Sequence, residues 1–165
     1  MIVFLDFDGV INHVEWYATR GPRPEAKLWT AELVRWCFDP ATATLLNRLS
    51  DAGAKFVISS TWRCAPGGLE EMRTILGLLG VRGEVIGCTP DLSTRDAGRV
   101  LWRSVERGQE IQAWLDEHGN PAPFVILDDD TDMGPLRDRL VHIDDRYGLQ
   151  DEHVTRALEM LGAGQ

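Results

Sequence analysis

The chain has 165 residues, 44% of them hydrophobic and 26% charged, which suits a single domain, residues 1–165, with a sizeable core. Its formal net charge of −9 excludes a broad basic surface for nucleic acid, although not a small basic pocket or an acidic site neutralised by a metal. Three cysteines without close spacing, Cys37, Cys64 and Cys88, exclude a disulfide framework or a zinc site and fit reduced thiols in a cytoplasmic setting.

Met1 to Phe7 reads as a buried strand. No basic region precedes it, as one would in a signal peptide, and no stretch approaches a membrane span, so no membrane association is expected. Residues 12 to 38 read as irregular and hold Trp16, Trp29 and Trp36 around Gly21-Pro22-Arg23-Pro24. Asp39 and Pro40 are a cap and a first position for a helix whose apolar face is Leu45, Leu46 and Leu49, ended by Gly53. Lys55 to Ser59 is a second strand. Leu69 to Leu79 has helical spacing and Gly80 stops it; Gly83 to Gly87 is a third short strand.

Thr89 to Glu106 is polar and Arg-rich, and is expected to be partly helical. If it is, Arg95, Arg99 and Arg103 form a basic stripe, either a track for a nucleic-acid backbone or a solvated face paired with nearby acids. The second of these is favoured. Gln109 to His118 is an amphipathic helix, and Gly119-Asn120-Pro121 a turn. Pro123 to Leu127 and Leu140 to Ile143 are the last two strands, and Asp151 opens a final helix. Strands alternating with helices predict an α/β fold: a three-layer, Rossmann-like, parallel five-stranded sheet with helices on both faces. In such sheets ligands bind beyond the carboxyl ends of the strands.

Two of those ends carry acids. Side chains alternate along a strand, so Asp6 and Asp8 share one side, and Gly9 lets the chain turn and brings backbone N–H groups close to a ligand. A second apolar run ends in Asp128, Asp129 and Asp130. If both strands are central, these carboxylates meet in one crevice, where they repel one another unless a hard cation such as Mg²⁺ is present. A third strand end supplies Ser60, Thr61 and Arg63, and Arg107 stands before a helix. Hydroxyls, backbone N–H groups and a cation are what phosphate oxygens require.

These residues, in this order, resemble the motifs of the haloacid dehalogenase-like (HAD) superfamily of phosphohydrolases: Asp6-Phe7-Asp8-Gly9-Val10, the strand ending in Ser59-Ser60 with the functional hydroxyl placed at Ser60 and Ser59 as the alternative, Arg107 at a helix start, and Asp128 with Asp129. The nearer resemblance is to a small HAD subgroup associated with RNA-repair (Swiss Army Knife) proteins, and more distantly to polynucleotide phosphatases. The stretches that carry it include LDFDGVIN, SSTWR, RGQEIQAWL and VILDDDTDM. The resemblance implies an Mg²⁺-dependent phosphomonoester hydrolase. Asp6 is its nucleophile, Asp8 its general acid and base, and Ser60 and Arg107 hold the phosphoryl group. Asp6, the backbone carbonyl of Asp8, Asp128 and Asp129 are implied as metal ligands. Arg107 departs from the Lys that is commoner at its position, which keeps the charge and changes the geometry.

Gly9, Thr61 and Arg63 are expected to touch substrate. Residues 12–38, after the first motif, are expected to form a flap too short to be a large cap. Its aromatic residues either stack on a base or pack the flap down, as Trp62 is expected to do. The expected substrate is a phosphorylated small molecule or a nucleic-acid end, and no stable protein partner is expected. The same motifs also suit a phosphotransferase. A non-catalytic phosphate- or nucleic-acid-binding module is the rival reading.

Overall fold

The computed structural model describes residues 1–95, 102–103 and 105–163. In chain order the elements are β1 (Ile2–Leu5), α1 (Val14–Ala18), α2 (Ala31–Cys37), α3 (Pro40–Asp51), β2 (Lys55–Ile58), a 3₁₀ turn (Thr61–Cys64), α4 (Gly68–Leu79) and β3 (Val85–Cys88). They continue with β4 (Thr94–Arg95), β5 (Trp102–Arg103), α5 (Arg107–Glu117), β6 (Phe124–Asp128), a second 3₁₀ turn (Gly134–Arg139), β7 (Leu140–His142) and α6 (Asp151–Met160). Five strands form one sheet in the order β3-β2-β1-β6-β7, every pair parallel. The expected α/β sheet with helices on both faces is therefore what the chain adopts.

The sheet is buried on both faces, which is why its strands read as unbroken apolar runs. Val3, Leu5 and Phe7 face one core with Leu33 of α2, Leu46 of α3, Ile75 of α4 and Val154 of α6. Ile2 and Phe4 face the other, beneath Ile111, Trp114 and Leu115 of α5. Phe4 takes the edges of Trp114 and Phe124 at centroid distances of 5.4 and 5.8 Å. β1 lies between β2 and β6, with Leu5 opposite both Ile58 and Leu127. The three strands therefore end at one level, and the residues beyond them converge.

Local signals fix most boundaries. Asp39 Oδ1 accepts from Ala41 N at 2.9 Å, with Pro40 at the first helical position of α3. Gly80 closes α4 in the left-handed region. Two expectations are corrected. Residues 12–38 are not irregular throughout, because α1 and α2 lie within them; Thr30 caps α2, and Leu33, Val34 and Cys37 bury one side of it. The stretch after β3 is not helical at its described ends: Thr94–Arg95 and Trp102–Arg103 pair antiparallel. Arg99, the middle of the proposed basic stripe, lies outside the described residues.

The start of α5 is wedged against the loop after β6. A Cβ on Gly108 would lie 2.2 Å from the carbonyl oxygen of Met133, a backbone atom that cannot swing aside. Gly108→Ala is therefore expected to displace α5 and lower stability by roughly 2 kcal/mol. Urea unfolding checks this, and an unchanged midpoint would contradict the packing.

Candidate active site

Past the strand tips the ladder continues for one residue. Asp6 N donates to Leu127 O at 3.1 Å, and Ser59 N to Leu5 O at 2.9 Å. This carries the acids of the first and fourth strands of the sheet's chain order into one buried cluster. Asp6, Asp128 and Asp129 each present a carboxylate oxygen within 4.8 Å of the others. Asp6 is 5% exposed and Asp128 fully buried. Asp129 packs so tightly under the first loop that a Cβ on Gly9 would meet its carboxyl at 2.4 Å, and Gly9 also holds a φ of +67°. Only glycine satisfies both constraints at that position.

The electrostatics follow from this crowding. Burial, then the neighbouring Asp6 charge, pushes Asp128 up to about 8; burial, against the pull of Arg107 and the Ser60 hydroxyl, leaves Asp6 raised to about 6. Burial raises Asp129 as well. Arg107 is the one basic side chain among the described residues close enough to offset them, its Nε 3.8 Å from Asp128 Oδ2. Burial works against the Arg107 charge, but Asp6, Asp128, Glu110 and Asp132 outweigh it and keep the guanidinium protonated.

Asp6 Oδ1 and Asp128 Oδ2 are buried without a hydrogen-bond partner. An all-oxygen donor set with unpartnered lone pairs fits a hard divalent cation such as Mg²⁺. Asp6, Asp128 and Asp129 would hold the ion, which would neutralise their mutual repulsion.

Asp8 stands apart from that cluster. Its Oδ1 accepts from Asn12 Nδ2 at 2.7 Å and its Oδ2 from Trp62 Nε1 at 2.8 Å. Asn12 and Trp62 thus hold the Asp8 carboxylate away from the cluster, which leaves its backbone carbonyl, the group expected as the metal ligand, for that part. Asn12 also closes the turn, accepting from Gly9 N at 3.0 Å. Neither Asn12 nor Trp62 was singled out as a site residue from the sequence. Trp62 also packs as expected, stacking on Phe7 at 6.0 Å.

At the tip of β2, two guanidiniums donate to two successive backbone carbonyls. Arg107 Nη1 donates to Ser59 O, and Arg63 Nη1 to Ser60 O at 2.7 Å. Ser60 is fully buried, with its hydroxyl beside the Asp6 carboxylate, where it favours the charged form. The Ser59 hydroxyl is buried without a partner. Arg63 does not present a free guanidinium for substrate, because it also donates to Pro90 O at 3.2 Å and pairs with Glu110 at 2.5 Å. That pair is buried, with side-chain exposures of 6% and 9%. Glu110 further accepts from Leu92 N at 3.2 Å. One carboxylate, a turn after Arg107, thus ties α5 to both the Ser60 turn and the loop after β3. Glu110 was read only as a helix position. Asp132 accepts from Arg107 N at 2.9 Å and acts as a cap for α5 from a distant loop. Thr61 is exposed at the start of the 3₁₀ turn.

Trp16, Trp29 and Trp36 pack rather than stand free. Trp16 Nε1 donates to Trp36 O and Trp36 Nε1 to Gly21 O, at 3.2 and 2.9 Å. Trp29 Nε1 donates to Glu71, and its ring lies against Phe38 and Trp62. His13 is bound to Asp39 at 3.3 Å. Among the described residues no helix is long and apolar enough to cross a membrane.

A parallel sheet with this strand order, its two central tips ending in acids beside a buried guanidinium, defines a HAD-type domain, a class made up in the main of phosphohydrolases. The chain belongs to the family described as the HAD domain in Swiss Army Knife RNA repair proteins, whose model matches residues 2–154. No curated protein matches the chain.

Without metal, the folded chain favours the protonated form of Asp6 and Asp128 more than the unfolded chain does. Their stabilising contribution is then complete below the ordinary value of 3.8 and is lost as pH rises through about 6 and about 8. Mg²⁺ binds the ionised acids, so the rise in melting temperature at saturating Mg²⁺ is expected to be larger at about pH 8 than at about pH 5. Asp128→Asn is expected to raise the stability of the metal-free protein at the higher pH and to remove most of the Mg²⁺ effect. An equal Mg²⁺ shift at both pH values would contradict the cluster as the metal site.

Proposed function

We propose that the protein is an Mg²⁺-dependent phosphomonoester hydrolase that works through an aspartyl-phosphate on Asp6. The observation that carries this reading is the Asp6 carboxylate: buried at a strand tip, with one oxygen lacking any hydrogen-bond partner, between Asp128 and the Arg107 guanidinium. An oxygen so placed is a nucleophile held without a competing donor.

In the first step an Asp6 oxygen attacks phosphorus and the ester P–O bond breaks. The departing oxygen takes a proton from Asp8, which Asn12 and Trp62 hold in one orientation. In the second step Asp8 takes a proton from water as the water oxygen attacks phosphorus. Phosphate leaves and the Asp6 carboxylate is restored. Arg107, the Ser60 hydroxyl and the Thr61 N–H receive the equatorial oxygens. Bound Mg²⁺ would offset charge on those oxygens. Arg63 and Glu110 position these groups without meeting the substrate phosphate.

The substrate is a phosphomonoester, with a nucleotide or a nucleic-acid end as the leading class. The occurrence of this family in RNA repair proteins supports that class.

Purified protein is expected to hydrolyse an aryl phosphate with Mg²⁺ and to stop with EDTA, and Asp6→Asn is expected to lose turnover while melting normally. Equal rates with and without chelator, or retained activity in Asp6→Asn, would reject the mechanism. Glu110→Gln strands the Arg63 charge and is expected to cost about 3–5 kcal/mol of stability. Replacing the pair together, Arg63→Met with Glu110→Leu, is expected to recover most of that stability while turnover stays low, because nothing then holds the Ser60 carbonyl. Recovered turnover in the double variant would show that the pair serves folding alone.

A further inference from the structure

Asn12 does more than hold Asp8. It is 3% exposed, and its neighbours fix which end of its amide is which. Oδ1 accepts from Gly9 N at 3.0 Å, a donor that cannot act as an acceptor, so the other end is Nδ2. Nδ2 carries two hydrogens. It donates to Asp8 Oδ1 at 2.7 Å and to the Tyr17 hydroxyl oxygen at 3.2 Å. Asp8 and Tyr17 therefore flank one buried amide nitrogen, the first from the turn after β1 and the second from α1 in the flap.

This fixes the direction of the Tyr17 proton. A phenol oxygen that accepts from Asn12 sends its own O–H away from Asn12. The Tyr17 ring is tilted against Trp36 at 5.9 Å, and Trp36 is itself bonded to Gly21 O at 2.9 Å. The ring is thus held, while the residue stays 40% exposed and Asp8 is exposed beside it. Partial burial, then the Cys37 side chain, raises the phenol above its usual value, so it keeps its proton through neutral pH. The other flank of Asp8 is different. Trp62 spends its single indole N–H on Asp8 Oδ2 at 2.8 Å and has no second hydrogen to give. Asp8 is the group that meets the departing oxygen, so a donor one amide away from it lies beside the leaving group.

We propose that Tyr17 is a specificity-determining residue: its hydroxyl donates to an oxygen on the leaving group's carbon next to the ester carbon. The site then selects a phosphorylated polyol or sugar, the ribose of a nucleotide included, over a simple alkyl phosphate. The inference rests on the phosphohydrolase reading, with Asp8 as the acid. Asp8 Oδ1 and the Tyr17 oxygen share one nitrogen donor, so neighbouring oxygens of a vicinal diol monoester meet both groups together. A leaving group without the second oxygen displaces water from the phenol and offers it no acceptor.

The test compares ethyl, hydroxyethyl and methoxyethyl phosphate with Mg²⁺. The last two are each expected to exceed ethyl phosphate in kcat/KM by roughly tenfold, because either oxygen accepts a hydrogen bond. Tyr17→Phe removes the donor and is expected to lower both ratios by roughly tenfold. The ratios separate recognition from positioning. A loss in Tyr17→Phe that is equal for all three esters would show that Tyr17 acts only by holding Asn12, and would overturn the assignment. A preference for hydroxyethyl that methoxyethyl phosphate does not share would overturn it too, since the oxygen would then be donating. Equal kcat/KM for the three esters in the unaltered protein would overturn it and leave the phosphohydrolase reading standing. Failure to hydrolyse any phosphomonoester, an aryl phosphate included, would reject both. Calorimetry on the Asp6→Asn protein supplies a readout apart from turnover. The two oxygen-bearing esters are expected to bind more tightly than ethyl phosphate, and equal affinity for all three would overturn the assignment.

Discussion

The structure depends on one juxtaposition: two parallel strands end side by side, and each delivers a buried carboxylate to the same few ångströms. Leu5 and Leu127 are register partners, so Asp6 and Asp128 follow them into a common space. Taking two such charges out of water is expensive, and Arg107 at 3.8 Å offsets only part of the cost. The excess remains as raised proton affinity and unpartnered oxygens. A fold selected for stability alone would place leucine at Asp128. A buried like-charge pair with raised proton affinity marks a candidate functional site rather than a purely structural one.

The second theme is how little of the site is free to move. Ser59 O and Ser60 O each receive a guanidinium, one from α5 and one from the turn after β2. Glu110 joins the same two regions and adds Leu92 N from the loop after β3. Asp132 anchors the first N–H of α5, while Gly108 lets that helix approach Met133. Asn12 and Trp62 fix Asp8 from two directions. Asp8, Arg107 and the Ser59 carbonyl are thus each held by a partner from another element, which fixes their geometry.

Much of this was legible in the residues. A run such as IVFL or FVIL that stops abruptly in aspartate states both that a strand is buried and where its tip lies, and two such runs in an alternating chain predict the sheet. Asp39-Pro40 and Gly80 announced helix ends by local chemistry. The order of the motifs pointed to the HAD superfamily, and the family match bears that out. What escaped was set by distance or brevity. α2 has seven residues, too few turns to establish a period. The Arg-rich stretch after β3 has the composition of a helix, yet its described ends pair with each other as short antiparallel strands, because composition is only a weak guide to conformation. Arg63 looked like a phosphate ligand, but its partner Glu110 lies 47 residues away and resembles any polar position on an amphipathic helix. Trp62 signalled packing, and nothing local tells that its indole N–H would reach Asp8.

The most direct test of the account is a crystal structure of the protein soaked with Mn²⁺ and trifluoroberyllate, a mimic of a phosphoryl group on a carboxylate. An anomalous peak between Asp6 and Asp128, with beryllium joined to Asp6 and its fluorides facing Arg107 and Ser60, is the predicted result. Metal bound elsewhere, or beryllium on any other carboxylate, would contradict it.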